Sequence, residues 1–240
     1  MNGTANNIIA AEAWVELREW LASQGPFAIA AGDVREIKAD FDLTRQQDLA
    51  GIDFAVSLAC PLPREALAGI KTGPTLLYKH LYQQVNYLLD RTTLLLSLRL
   101  QSLGARAIPI PASQLVDWER LRADVNHRQV AVHLGQGWYG RNNLLVTPEH
   151  GAQVRLATLL TDAELVAPGP WADRRGESGC SKCRACVAVC PVKAIHEGPR
   201  DFDLAACSEK TREFEKIRGI GQRICGVCVR ACPGPREAGS

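Results

Sequence analysis

Cys180-Ser-Lys-Cys183-Arg-Ala-Cys186-Val-Ala-Val-Cys190-Pro191 is the stretch that decides how this chain is read. A looser run follows it: Cys207 alone, then Cys225-Gly-Val-Cys228-Val-Arg-Ala-Cys232-Pro233. Eight of the nine cysteines therefore lie between Cys180 and Cys232. Thiolates with two residues between them on a tight turn can reach neighbouring metal atoms of one centre. The cysteine before each proline points the other way, because a short helix has begun there. The spacing predicts a crossed arrangement, with Cys180, Cys183, Cys186 and Cys232 on one [4Fe–4S] cluster and Cys190, Cys207, Cys225 and Cys228 on another. It is not the spacing of a zinc site. The opening MNGTANNIIAAEAWVELREW shows no basic segment followed by an apolar one, so neither an export leader nor a disulfide framework is expected.

The first run has the pattern of the bacterial two-cluster ferredoxins, and two neighbouring clusters form a path for electrons. That module fills only the end of a 240-residue chain. We therefore expect residues 1–170 to form an α/β (α+β) domain with its own core, and residues 171–240 a ferredoxin-like domain after the connector Ala167-Pro-Gly-Pro170. Charge is unevenly shared: residues 174–236 carry 13 Lys+Arg against 7 Asp+Glu, a net of +6, and the remainder is net −4. Anionic clusters would offset part of that excess. A docking face for an acidic electron donor such as a flavodoxin or ferredoxin, or an RNA contact, are the other uses of such a surface. No run reaches the roughly 20 apolar residues that span a bilayer, so no membrane partner is expected and a cytoplasmic location is.

In the front region, residues 5–23 have helical spacing, with Thr4 a candidate N-cap and Gly25-Pro26 a stop. Residues 27–31, 52–59 and 107–110 read as strands. Residues 75–103 form the longest helical pattern, apolar nearly all round, which predicts a packed central helix. Residues 143–147 and 153–161 flank Pro148-Glu-His-Gly151 and read as a hairpin. Cys60, in an apolar run, reads as a buried inert thiol.

Neither Gly-x-Gly-x-x-Gly after a strand nor a phosphate-binding Gly-x4-Gly-Lys-Ser/Thr is present. The unusual stretch is His133-Leu-Gly-Gln-Gly-Trp-Tyr-Gly-Arg-Asn-Asn143. It suits a backbone approaching a large flat ligand, or a glycine turn whose aromatics pack the core. His127 and His133 could ligate a metal or relay protons, with partly buried structural histidines as the alternative. Lys79 and His80 fit a solvated first turn, and Tyr139 is a candidate proton donor.

The loop Gly135-Gln-Gly-Trp-Tyr-Gly-Arg-Asn142, followed by both cysteine motifs with Cys207 between them, resembles epoxyqueuosine reductase, a family related to the corrinoid reductive dehalogenases. The resemblance implies a nitroreductase-like cobalamin-binding domain followed by a bacterial-type two-cluster ferredoxin domain, with cobalamin held base-off between them. It places Gly135, Gly137, Trp138, Arg141 and Asn142, together with Tyr82 and Ser208, near the corrin.

One departure matters. The family has its catalytic aspartate in a Val-Asp-Ser-Ala-Pro-like stretch, where this sequence reads Ala107-Ile-Pro-Ile-Pro-Ala-Ser113. An apolar Ile110 or a proline cannot protonate a departing oxygen. Asp117 is nearby but unmatched, and the family's C-terminal helical-repeat extension is not expected either. The reading is a short member acting as a cobalamin-dependent reductase on a small substrate, with neither epoxyqueuosine nor tRNA expected. A cobalamin-processing or carrier protein, with the corrin itself as substrate, and a plain electron-transfer protein are the alternatives.

Overall fold

The computed structural model describes residues 9–117 and 122–234. In chain order its main elements are α1 (Ala11–Gln24), β1 (Ala28–Asp33), β2 (Phe54–Pro61), α2 (Arg64–Ala68), α3 (Leu76–Ser102), β3 (Ala107–Ile110), α4 (His127–His133), β4 (Trp138–Tyr139), β5 (Leu145–Val146), β6 (Val154–Thr161), α5 (Ala185–Val189), α6 (Leu204–Glu215) and α7 (Val227–Arg230). The fold is α+β. Two compact units are each assembled from separated stretches. The first comprises the chain up to Cys60, Asn86–Gln136 and Arg155–Arg175. The second comprises Pro61–Val85, Gly137–Val154 and the chain from Gly176 onward. These units interleave along the sequence.

The first unit is built on a four-stranded sheet of order β1-β2-β6-β3. β1 runs antiparallel to β2, from Ala28 opposite Ala59 to Asp33 opposite Phe54. β3 runs antiparallel to β6, from Ala107 opposite Thr161 to Ile110 opposite Thr158. β2 is central and buried over all but its last residue, which explains a run that is apolar apart from Ser57 and shows no alternation. Pro109 lacks a ladder donor and sits, as it must, on the edge strand β3. Ala30, Val34, Phe41, Leu43, Ala55, Ile110, Val130, Leu134 and Leu160 form one buried cluster in this unit. Each large aliphatic side chain removed from water there contributes about 1.5–3 kcal/mol.

α1 begins at Ala11 without a side-chain cap, and the candidate N-cap Thr4 lies outside the described residues. α3 corrects the expectation of an evenly packed helix. Its buried positions include Tyr78, Val85, Leu89, Leu96 and Leu100, whereas Tyr87, Leu94 and Leu98 are half or more exposed. Three hydroxyls take buried positions instead, each bonded to its own helix: Thr92 to the Leu88 carbonyl, Thr93 to that of Leu89 and Ser97 to that of Leu94.

The expected hairpin is also corrected. Thr147 and Gly151 exchange backbone bonds around the turn, but the ladder stops there. The next amide, Ala152, donates to the Cys232 carbonyl at 3.0 Å. β5 pairs with β4, while β6 enters the large sheet. The connector at 167–170 is tied into the first unit: Ala167 exchanges two backbone bonds with Ala31, and the Gly169 amide donates to the Leu134 carbonyl at 2.9 Å.

Candidate metal centre and the glycine loop

The second unit carries all eight clustered cysteines. Cys180 and Cys183 lie on a tight turn, where the Cys183 amide donates to the Cys180 carbonyl at 2.8 Å and Ser181 is left-handed at φ 39°. α5 then starts and carries Cys186 into a buried position. Cys190 ends that helix in an extended conformation, with its sulfur accepting from the Ala194 amide at 3.3 Å. α6, capped by the Asp203 carboxylate on the Ala206 amide, presents Cys207. Cys225 and Cys228 flank Gly226 at the start of α7, and Cys232 follows the helix. α7 packs against both α5 and α2.

None of the nine cysteines forms a disulfide. Burial and neighbouring thiols raise five of the clustered cysteines. Burial first, then Cys232, Cys180 and Cys183, push the Cys186 thiol up to about 11. Cys232 is raised by burial and then by Cys180 and Cys183. Burial, then Cys225 and Cys190, push Cys207 up to about 11. Cys225 is raised by burial and by Cys190, against the opposing pull of Lys210. Cys228 is raised above the ordinary thiol range by burial, then by Cys225 and Cys207, with Cys186 a weaker neighbour. At these five sulfurs burial favours the neutral thiol, so binding a metal there must release protons.

Among the described residues, no three His, Cys, Asp or Glu side chains converge closely enough to hold a single metal ion. One zinc ion would draw four thiolates to about 2.3 Å from a single point. An iron–sulfur cube instead spreads its thiolates over four separate irons.

The glycine loop leads into the β4–β5 hairpin, in which Trp138 lies opposite Val146 and Tyr139 opposite Leu145. The buried Trp138 donates its indole N–H to Cys180 Sγ at 3.4 Å. Arg141 Nη2 donates to the Ser181 carbonyl at 2.8 Å. The Asn142 carboxamide oxygen accepts from the Leu144 amide at 3.3 Å, whereas its Nδ2 and the Arg141 Nε are buried without a hydrogen-bond partner. Gly135 packs against the Ala172 backbone and Gly137 against the Val146 carbonyl, so the fold itself needs small residues at both. Tyr82 is half-buried, its ring edge-on to Tyr78 at 6.4 Å, and Ser208 is half-buried on α6 beside Cys207.

Other singled-out residues have structural partners in the first unit. His127 Nε2 lies 2.9 Å from the Pro111 carbonyl, which only accepts, so Nε2 donates and Nδ1 accepts from the Thr158 hydroxyl at 2.8 Å. His133 Nε2 donates to the Asp33 carbonyl at 2.9 Å. Ile110 is buried at 3% exposure. Just beyond it the Asp90 carboxylate accepts the Ala112 amide at 2.7 Å, and Arg155 donates to Asn86 Oδ1 at 3.0 Å. Asp117 exchanges backbone bonds with Arg122. Sequence reading did not single out Gly179, Ser181, Gly226 or Tyr78, which shape the cysteine turns. A glycine directly beside a motif cysteine was the available signal at Gly179 and Gly226.

No protein-family model matches the chain. The tetrachloroethene reductive dehalogenase of Sulfurospirillum multivorans is 35% identical over 112 residues, 43% of this chain and 22% of that protein. The epoxyqueuosine reductase of Bacillus anthracis is 32% identical over 147 residues, 56% of this chain and 36% of that protein. That of Escherichia coli (strain K12) is 36% identical over 120 residues, 46% of this chain and 30% of that protein. The chain is thus similar to part of the epoxyqueuosine reductases and of a reductive dehalogenase. It spans about a third or less of the length of these curated relatives.

The fold agrees. A crystal structure of epoxyqueuosine reductase with an epoxyqueuosine-modified tRNA-Tyr stem loop superposes with a TM-score of 0.56 at 20% identity, over 92% of this chain and 65% of that one. The catabolic reductive dehalogenase NpRdhA gives 0.60 at 18% identity, over 77% of this chain and 26% of that one. Among the described residues no helix is long and apolar enough to cross a membrane.

Proposed function

We propose that the chain is a cobalamin-binding iron–sulfur redox protein that passes electrons through two [4Fe–4S] clusters to a base-off corrin and reduces a small substrate. What supports this reading is the spacing of eight thiols, none in a disulfide, with Cys186 acted on by Cys232, Cys180 and Cys183, and Cys207 by Cys225 and Cys190. In it Cys180, Cys183, Cys186 and Cys232 hold one cluster, and Cys190, Cys207, Cys225 and Cys228 the other, in a ferredoxin-type module spanning residues 171–240. The preceding 170 residues form the nitroreductase-like, cobalamin-binding part. When bound, the clusters supply single electrons and the corrin a reducible metal centre.

The chain's own residues hold and shield these groups. Arg141 Nε and Asn142 Nδ2 are buried donors with unspent hydrogen-bonding capacity, suited to the carboxamides on a corrin rim. Tyr82, Gly135, Gly137, Trp138 and Ser208 complete the surroundings that the resemblance implies. The donor is an acidic electron carrier such as a flavodoxin or ferredoxin, and the setting is cytoplasmic.

A second reading rests on Ile110. It is buried in a sheet edge, and the nearby Asp90 and His127 are spent on the backbone of residues 111 and 112. Position 110 itself offers no group to protonate a departing oxygen, which favours cobalamin itself as the substrate, its upper ligand being removed reductively.

Anaerobic reconstitution with iron, sulfide and hydroxocobalamin tests the proposal. Eight iron atoms per chain, four for each set of four cysteines, and a bound corrin spectrum are expected. Zinc, or full iron with no corrin uptake, overturns it; the second of these leaves an electron-transfer protein. Turnover of small halides or epoxides, compared with release of cyanide or alkyl groups from added cobalamins, separates the two readings.

A further inference from the structure

We propose that Trp138 is a redox-tuning residue. Its indole N–H donates to the Cys180 thiolate and raises the reduction potential of the cluster which that thiolate holds. The inference rests on Cys180 being a cluster ligand, as proposed above.

The geometry is specific. Trp138 is 3% exposed, fixed in β4 opposite Val146, and its Nε1 lies 3.4 Å from Cys180 Sγ. The residue before that cysteine is Gly179, where a Cβ would lie 2.4 Å from Cζ2 of the indole. Glycine at 179 is thus the condition for the ring to reach the sulfur. Two residues on, Arg141 Nη2 grips the Ser181 carbonyl at 2.8 Å and holds its left-handed turn. One hairpin therefore fixes three consecutive residues of the first cysteine turn through two side chains, and one of these bonds ends on sulfur.

Reduction adds one electron to a cluster and increases the negative charge on its sulfurs. No bond forms or breaks, and the proton stays on the indole nitrogen. A donor aimed at the sulfur stabilises the more negative state more strongly, so the potential rises. Burial strengthens the effect because water cannot substitute for the indole. In the other set, the Ala194 amide plays this part toward Cys190 at 3.3 Å, but a backbone donor cannot be deleted by changing a side chain.

The test is a potentiometric titration with dithionite, followed by electron paramagnetic resonance, on reconstituted wild type, Trp138→Phe, Trp138→His and Gly179→Ala. Trp138→Phe keeps a ring but loses the donor. It should retain full iron, and one of the two midpoints should fall by about tenfold in the reduction equilibrium, which is 59 mV for one electron. The other midpoint should stay. Gly179→Ala, which pushes the ring aside, should lower the same midpoint, and Trp138→His, which keeps a ring N–H, should recover part of the shift. Unchanged midpoints in Trp138→Phe overturn the proposal, as does an equal shift in both. Should Trp138→Phe lose iron, unchanged midpoints in Gly179→Ala overturn it instead. Wild-type iron content separates the two levels: protein without clusters sinks the parent reading, whereas intact clusters with unmoved potentials sink only this one.

Discussion

The ring of Tyr78 lies against Gly226, the residue after Cys225: a Cβ there would sit 2.6 Å from Tyr78 Cε1 and 2.9 Å from Ile70 Cδ1. Gly226 is also left-handed, at φ 81°, where an L side chain costs about 1–2 kcal/mol even in open space. Gly226→Ala should therefore lower stability by at least that amount and displace the turn between Cys225 and Cys228. Chemical denaturation and iron counting check this, with iron of the second set lost and that of the first kept. Full iron and an unchanged midpoint would show the turn to be tolerant.

Cys186 feels Cys232, Cys180 and Cys183, and Cys228 feels Cys225 and Cys207 first, then Cys186 and Cys190. Cys186→Ser and Cys228→Ser should each remove about half the iron, leaving a different electron paramagnetic resonance signal in each variant. The double variant should retain almost none. Identical residual signals in the two single variants would contradict the crossed assignment.

His127 titrates near 4 in the folded protein, chiefly because burial disfavours its charged form, against 6.5 for an unhindered imidazole. Between those values the unfolded chain holds more protons than the folded one. Stability is thus complete above pH 6.5 and falls as the pH is lowered through 4, by up to about 3 kcal/mol. Urea unfolding of wild type and His127→Gln at pH 7 and pH 4.5 measures this, and the variant should lose most of the difference. Equal losses in both proteins would assign the acid sensitivity elsewhere.

Asn142 accepts the Leu144 amide through Oδ1 and leaves Nδ2 buried and unused. Asn142→Asp keeps the acceptor and deletes the donor, so corrin uptake should weaken about tenfold, the order of one charge-sensitive hydrogen bond. Iron content should not change. Spectroscopic titration with hydroxocobalamin decides, and undiminished affinity would remove Asn142 from the cobalamin site.

Cys60 lies in the central strand β2 at 3% exposure, with burial pushing its thiol up to about 11. In reconstituted protein it should be the one cysteine outside the clusters, and it should resist alkylation at pH 8 until the chain is unfolded. Rapid modification of native protein would mean that the strand opens.

What the sequence determined by itself was local or covalent. Fixed spacing between cysteines constrains which sulfurs can share a centre. The apolar runs of β2 and β3 were legible because strand patterning spans only a few residues. α3 was legible in extent and misread in burial: Thr92, Thr93 and Ser97 satisfy their hydroxyls within the helix and can be buried, so apolar periodicity misplaced its inner face. Tertiary structure decided what depends on distant segments meeting. β5 and β6 look like a hairpin because the turn between them does close, yet Ala152 turns to Cys232, some eighty positions away, and the ladder ends. The glycine loop suggested a ligand because close backbone approach leaves the same mark whatever approaches. Only the folded chain shows that Val146 and Ala172 fill that space, and that Trp138 spends its one donor on the sulfur of Cys180.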